Sequence, residues 1–135
     1  MSRKYTFHGR VFSGSGKGGY YVGHPEFKKR FLKLLGYVPY PGTLNVKLDS
    51  PEEIEERRHL RLGKKALWIG EFLHRGETFS AVNCFRGSMG EQEIALLIVE
   101  ITHYDDSVLE LISPVYLREK IGLRDGSEVS PTIDL

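Results

Sequence analysis

The chain has 135 residues, of which 40% are hydrophobic and 27% charged, with 15 glycines and one cysteine. That length predicts one domain spanning residues 1–135 with a real core, and the composition excludes a disordered or collagen-like chain. The lone Cys84 excludes an internal disulfide framework, and the longest apolar run, 94–99, is far too short to cross a bilayer. No apolar stretch follows the basic N-terminus, so the expectation is a cytoplasmic protein without a signal peptide or membrane partner.

The net charge of +1 argues against a nucleic-acid coat but hides an asymmetry. Residues 1–50 carry nine Lys or Arg against Glu26 and Asp49; residues 51–135 carry ten against sixteen acids. A cationic first third predicts a polyanion site there that the acidic remainder does not cancel locally.

In chain order, residues 5–12 place Tyr5, Phe7, Gly9 and Val11 on one face, as a strand does. Residues 13–19, SGSGKGG, predict a flexible loop between two strands, the second opening at Tyr20, Tyr21 and Val22. The clearest helix opens near Pro25, buries Phe27, Phe31, Leu34 and Leu35, and ends at Gly36. His24 reads as a turn residue before it. After a turn at Tyr40, Pro41 and Gly42, residues 43–48 alternate as a half-buried strand with Leu44, Val46 and Leu48 inward. Residues 51–65 are charged and weakly periodic, and read as a connecting excursion with room for a helical turn. Strands are predicted at 67–72, 78–85, 93–101 and 108–112, the third buried on both faces. Ser113 and Pro114 then open a short helix over 115–121 closed by Gly122, and a last strand lies near 128–133. Many short strands with one good helix and one short one predict a mainly β fold, a small closed β-barrel rather than a doubly wound sheet.

Gly14, Gly16 and Gly19 match the spacing of a dinucleotide fingerprint, but that motif needs a helix after the loop, and a strand is expected here. The terminal Gly-Lys-Ser/Thr of a Walker A loop is also missing. What remains is a glycine-rich segment whose backbone N–H groups can form an anion nest beside Lys17, or serve as a plain connection. Thr43 and Asn45, two positions apart on a strand, share a face with Cα atoms roughly 6.5–7 Å apart. Their hydroxyl and carboxamide oxygens are hard neutral ligands suited to Mg²⁺ that a nucleotide helps to hold. On spacing alone, an exposed strand face is the commoner outcome for such a pair. Glu110 lies opposite Leu109 and Leu111, either as a cavity carboxylate or as an outward polar residue. His8, His24, His59, His74 and His103 have no zinc-ligand spacing, and Cys84 reads as a packed side chain.

Three segments together, GRVFSGSGKGGYYV, PEFKKRFLKLLGYVPYPGTLNVKL and ELISPVYLREKIGLRDGSEV, resemble the archaeal CTP-dependent riboflavin kinases; residues 50–92 are less distinctive. The resemblance implies a six-stranded cradle-loop barrel, related to the RIFT barrels, that phosphorylates the ribityl 5′-hydroxyl of riboflavin to give FMN and CDP. It implies that Gly14, Ser15, Gly16, Lys17, Gly18 and Gly19 hold the nucleotide with Val115, Tyr116, Leu117 and Arg118. Thr43 and Asn45 would hold Mg²⁺, and Thr102 and Glu110 would contact the flavin. Glu110 is also the one candidate general base. The expected partners are CTP, CDP, riboflavin and FMN, with no nucleic acid and a monomeric state. Some relatives carry an N-terminal helix-turn-helix domain, which is not expected here. Two rivals stay open: a barrel DNA-binding protein of the swapped-hairpin kind, and a flavin-binding module without catalysis.

Overall fold

Short alternating segments produce short strands, and the computed structural model, which describes residues 3–102 and 104–135, is mainly β with four helices. The chain begins with β1 (Lys4–Thr6), β2 (Gly9–Phe12), α1 (Lys17–Val22), α2 (Pro25–Leu35) and β3 (Leu44–Leu48). Next come α3 (Pro51–Leu62), β4 (Leu67–Ile69), β5 (Phe72–His74), β6 (Glu77–Phe79) and β7 (Val82–Met89). It finishes with β8 (Gln92–Val99), β9 (Val108–Ile112), α4 (Leu117–Lys120), β10 (Glu128–Val129) and β11 (Thr132–Asp134).

The pairing path is β1-β11-β7-β8-β9-β3-β2-β10, with β4 added on β7 and β5–β6 as a separate hairpin; every pair is antiparallel. The apolar run of β8 lies at its centre, with Ile94, Ala95, Leu96, Leu97 and Ile98 all buried, as its sequence predicts. Ile94, Leu96 and Ile98 join Val11, Val46, Leu109 and Leu111 in one cluster, while Ala95 and Leu97 join Phe27, Phe31 and Leu35 of α2 in another. Each such fully buried Leu or Phe contributes about 1.5–3 kcal/mol. Helix α2 forms as predicted: the His24 side chain accepts the Glu26 backbone N–H at 3.1 Å, Pro25 opens the first turn, and Gly36 caps the end with φ 87°.

Four expectations are corrected. The glycine loop does not lead into a strand: Lys17–Val22 is a helix, with Gly18 and Gly19 inside it. Two glycines cost a helix roughly 1 kcal/mol each, but a Cβ on Gly18 would sit 2.5 Å from Thr43 Oγ1, so close packing against Thr43, just before β3, requires the bare backbone. The dinucleotide reading still fails, on other grounds, because β2 and β3 pair antiparallel and no parallel crossover exists between them. Residues 51–62 form a full helix, started by Ser50, which accepts the Glu53 N–H, and by Pro51, Glu52 and Glu53 in its first turn. The predicted strands 67–72 and 78–85 are broken into β4, the β5–β6 hairpin and β7, the hairpin turning at Arg75 (φ 49°) and Gly76 (φ 81°). Ser113 does not cap α4, which starts at Leu117. Its hydroxyl donates to the Glu93 carbonyl at 2.7 Å, tying two strands together.

Candidate functional site

A row of paired residues across four strands sets the site. Phe12 on β2 pairs with Asn45 on β3, Asn45 with Glu110 on β9, and Glu110 with Leu97 on β8. Directly opposed residues project from the same face, and this row lines one wall of a cleft of about 670 Å³. The loop and α1 residues from Ser13 to Gly19 form the rim at one end, with Tyr40, Pro41, Gly42, Tyr116 and Arg118. At the other end Val22, Phe27, Phe31, Phe79, Val82 and Val99 make an apolar slot, which Thr78 and Ser80 border.

The structure therefore brings together Gly14, Ser15, Gly16, Lys17, Gly18, Gly19, Thr43, Asn45, Thr102, Glu110, Tyr116 and Arg118. Leu117 is instead buried in the core and Val115 packs against it, both lining a small side pocket with Tyr40, Gly42 and Thr43. Of the nine basic residues in the first fifty, among the described residues only Lys17 lines the cleft. Arg3, Lys4 and Arg10 pair with Glu56, Asp134 and Glu128 of the acidic remainder, so the charge asymmetry read along the chain is partly cancelled locally. Arg118, from that remainder, joins Lys17 at the polar end. Its guanidinium donates to Asp125 at 2.8 Å and approaches Ser13 Oγ at 3.4 Å, and the Ser13 hydroxyl also donates to Asp125. Arg118 first, then Ser13, holds the Asp125 carboxyl below the usual range.

Thr43 Oγ1 donates to Asn45 Oδ1 at 3.1 Å. Two oxygens that far apart match adjacent corners of an octahedron with bonds of about 2.0–2.1 Å, roughly a 3 Å edge, so the pair fits Mg²⁺ in both chemistry and spacing. The glycine backbone closes on this pair: a Cβ on Gly14 would fall on the Asn45 carboxamide and the Tyr104 hydroxyl. Among the described residues no three His, Cys, Asp or Glu side chains converge as a metal set. His24 is the α2 cap, and His103 lies outside the described residues.

Burial raises the pKa of Glu110, while the Arg57 guanidinium and a hydrogen bond from Thr102 oppose that rise. Arg57 is only 2% exposed, donates from Nε to the Val108 carbonyl at 3.1 Å and lies 3.5 Å from Asp106. Arg57 and Tyr104 are the site-supporting residues that sequence reasoning missed. The capping pattern Ser50-Pro51-Glu52-Glu53 could have revealed the helix that carries Arg57, whereas Tyr104 lies in an irregular segment without periodicity.

A glycine-rich segment, a hard oxygen pair and an apolar slot share one cleft. The family model CTP-dep_RFKase, described as a domain of unknown function (DUF120), matches residues 11–133, and the chain belongs to that family, the CTP-dependent riboflavin kinases. Among its relatives, the riboflavin kinase of Archaeoglobus fulgidus is 42% identical over 127 residues, 94% of this chain and 54% of the relative. That of Pyrobaculum arsenaticum is 40% identical over 121 residues, 90% and 57%. That of Ignicoccus hospitalis is 36% identical over 129 residues, 96% and 71%. The chain spans about half the length of most of the curated relatives it matches. No helix among the described residues is long and apolar enough to cross a membrane.

Proposed function

We propose that the protein transfers the γ-phosphate of CTP to the ribityl 5′-hydroxyl of riboflavin, giving FMN and CDP. The observation that carries this reading is the single cleft in which the glycine segment and the Thr43–Asn45 pair face an apolar slot, with Glu110 in the row between them. The names of the relatives reported above support riboflavin as the acceptor, and the family name supports CTP as the donor.

Phosphoryl transfer passes through a loose transition state, so alignment and charge stabilisation do most of the work. The backbone N–H groups of the glycine segment bind phosphate oxygens, and Lys17 and Arg118 offset their charge. Thr43 and Asn45 are the ligands we assign to Mg²⁺, which when bound neutralises phosphate charge. Phe27, Phe31, Phe79 and Val82 exclude water from the flavin ring. Glu110 accepts a hydrogen bond from the acceptor or takes its hydroxyl proton. Glu110→Gln separates the two: a fall in kcat marks the base, a rise in the riboflavin KM alone marks the contact.

We also read the sheet as closed, as a six-stranded cradle-loop barrel. Only Phe7 and His8 separate β1 from β2, and only Ser130 and Pro131 separate β10 from β11. Phe7 N–H donates to the Pro131 carbonyl at 2.9 Å, which supports two bent strands joining the ends of the pairing path.

The test is an assay with riboflavin, Mg²⁺ and each nucleoside triphosphate in turn. FMN should form with CTP, and Asn45→Ala should lower turnover by orders of magnitude. No FMN with any triphosphate would sink the reading, and FMN with ATP in preference to CTP would overturn the donor assignment.

A further inference from the structure

The two ends of the cleft are joined by a run of hydrogen bonds through one irregular segment. The Tyr104 hydroxyl accepts the backbone N–H of Ser15 at 3.3 Å. The Tyr104 backbone N–H donates to Thr102 Oγ1 at 3.2 Å, and Thr102 lines the cleft together with Glu110. The Tyr104 ring packs edge-on against Phe12, centroids 5.7 Å apart, at the strand end that leads into the glycine segment. Its hydroxyl also occupies the place a Gly14 Cβ would take, so it touches that segment at two successive residues.

We propose that Tyr104 is a positioning residue that couples the donor and acceptor ends of the site, through Ser15 on one side and Thr102 and Glu110 on the other. This rests on the kinase reading above. A flavin held at the cleft wall by Thr102 and Glu110 fixes Thr102, Thr102 fixes the Tyr104 backbone, and the Tyr104 hydroxyl holds the glycine segment in the arrangement that receives phosphates. Coupling between two ligands is reciprocal, so nucleotide binding must tighten flavin binding by the same factor. One neutral hydrogen bond supplies about a three- to tenfold effect.

The experiment titrates CDP calorimetrically into the full chain with and without riboflavin, for the wild type and Tyr104→Phe, beside FMN formation and melting temperature. The wild type should bind CDP about three- to tenfold more tightly when riboflavin is present. Tyr104→Phe keeps the ring on Phe12 and removes the hydroxyl. Its CDP ratio should fall to about one, with kcat/KM for CTP reduced by a similar factor and with the melting temperature and riboflavin affinity in the absence of nucleotide unchanged. A residue that merely fills space would leave the ratio intact. Thr102→Val breaks the same run one link earlier and carries the test if Tyr104→Phe does not fold; it too should lose the coupling. An active wild type without coupling, or either folded variant with the full ratio, overturns the proposal. Failure of the kinase reading shows separately, as a wild type that makes no FMN, and the coupling inference falls with it.

Discussion

Gly18 and Gly16 sit two positions apart and should respond oppositely to the same methyl group. A Cβ on Gly18 meets Thr43 Oγ1 at 2.5 Å, so Gly18→Ala displaces one oxygen of the pair assigned to Mg²⁺. Turnover should drop by about a hundredfold, the effect of an ångström-scale misplacement at a reacting site. Gly16 has open space around its Cα but a φ of +82°. Gly16→Ala should therefore cost about 1 kcal/mol of stability in chemical denaturation and leave turnover within a fewfold. Equal losses of turnover in the two variants would contradict this account of the segment. At Cys84 the expectation from sequence, a packed side chain, agrees with a fully buried residue whose thiol burial pushes up to about 12. Thiol reagents need the thiolate; at pH 8 the native protein should resist labelling and the unfolded chain should label completely. Rapid native labelling would show that the β7 region opens.

Helix α2 carries a pH effect of its own. Arg30, at 2.9 Å, and Lys29, at 3.2 Å, hold the Glu26 carboxyl down to about 2 from its usual 4.5. Because the folded-state value is depressed, the pairing adds stability above the unfolded value near 4.5, and that part is lost as the pH falls toward 2. Glu26→Gln should thus be less stable than the wild type at pH 7, with the gap in urea midpoints narrowing from about pH 4.5 downward. A constant gap would place the effect elsewhere. The period of Phe27, Phe31 and Leu35, the proline start and the glycine end made this helix readable before any tertiary contact was known. Helix α1 was not readable, because Gly18 and Gly19 oppose it locally and only packing of Val22 and close approach to Thr43 repay that cost. Helix α3 hid for a different reason. Its outward charges blur the period, and its buried face depends on Arg57, a residue that sequence patterns assign to solvent.

At the scale of the molecule, the two apolar clusters share strands. On β8, Ile94, Leu96 and Ile98 serve one and Ala95 and Leu97 the other, so neither can lose its packing without disturbing its neighbour. Calorimetry should show a single unfolding transition with equal calorimetric and van't Hoff enthalpies; two transitions would mean the faces are independent. The sequence by itself determined the strand-rich class, the buried central strand, the amphipathic α2, and the motif residues that form most of the cleft. These follow from local periodicity and from glycine and proline stereochemistry, which need only neighbours in the chain. The tertiary structure alone decided which of those residues meet. Strand register put Asn45 beside Glu110, and an irregular segment placed Tyr104 on the glycine loop. Folding also redistributed the charge: Arg3, Lys4 and Arg10 left the cationic first third to pair with distant acids, and Arg118 came from the acidic part to stand near Lys17 in the cleft. A charge's effect depends on its spatial neighbours and its exposure, and no count along the chain contains either.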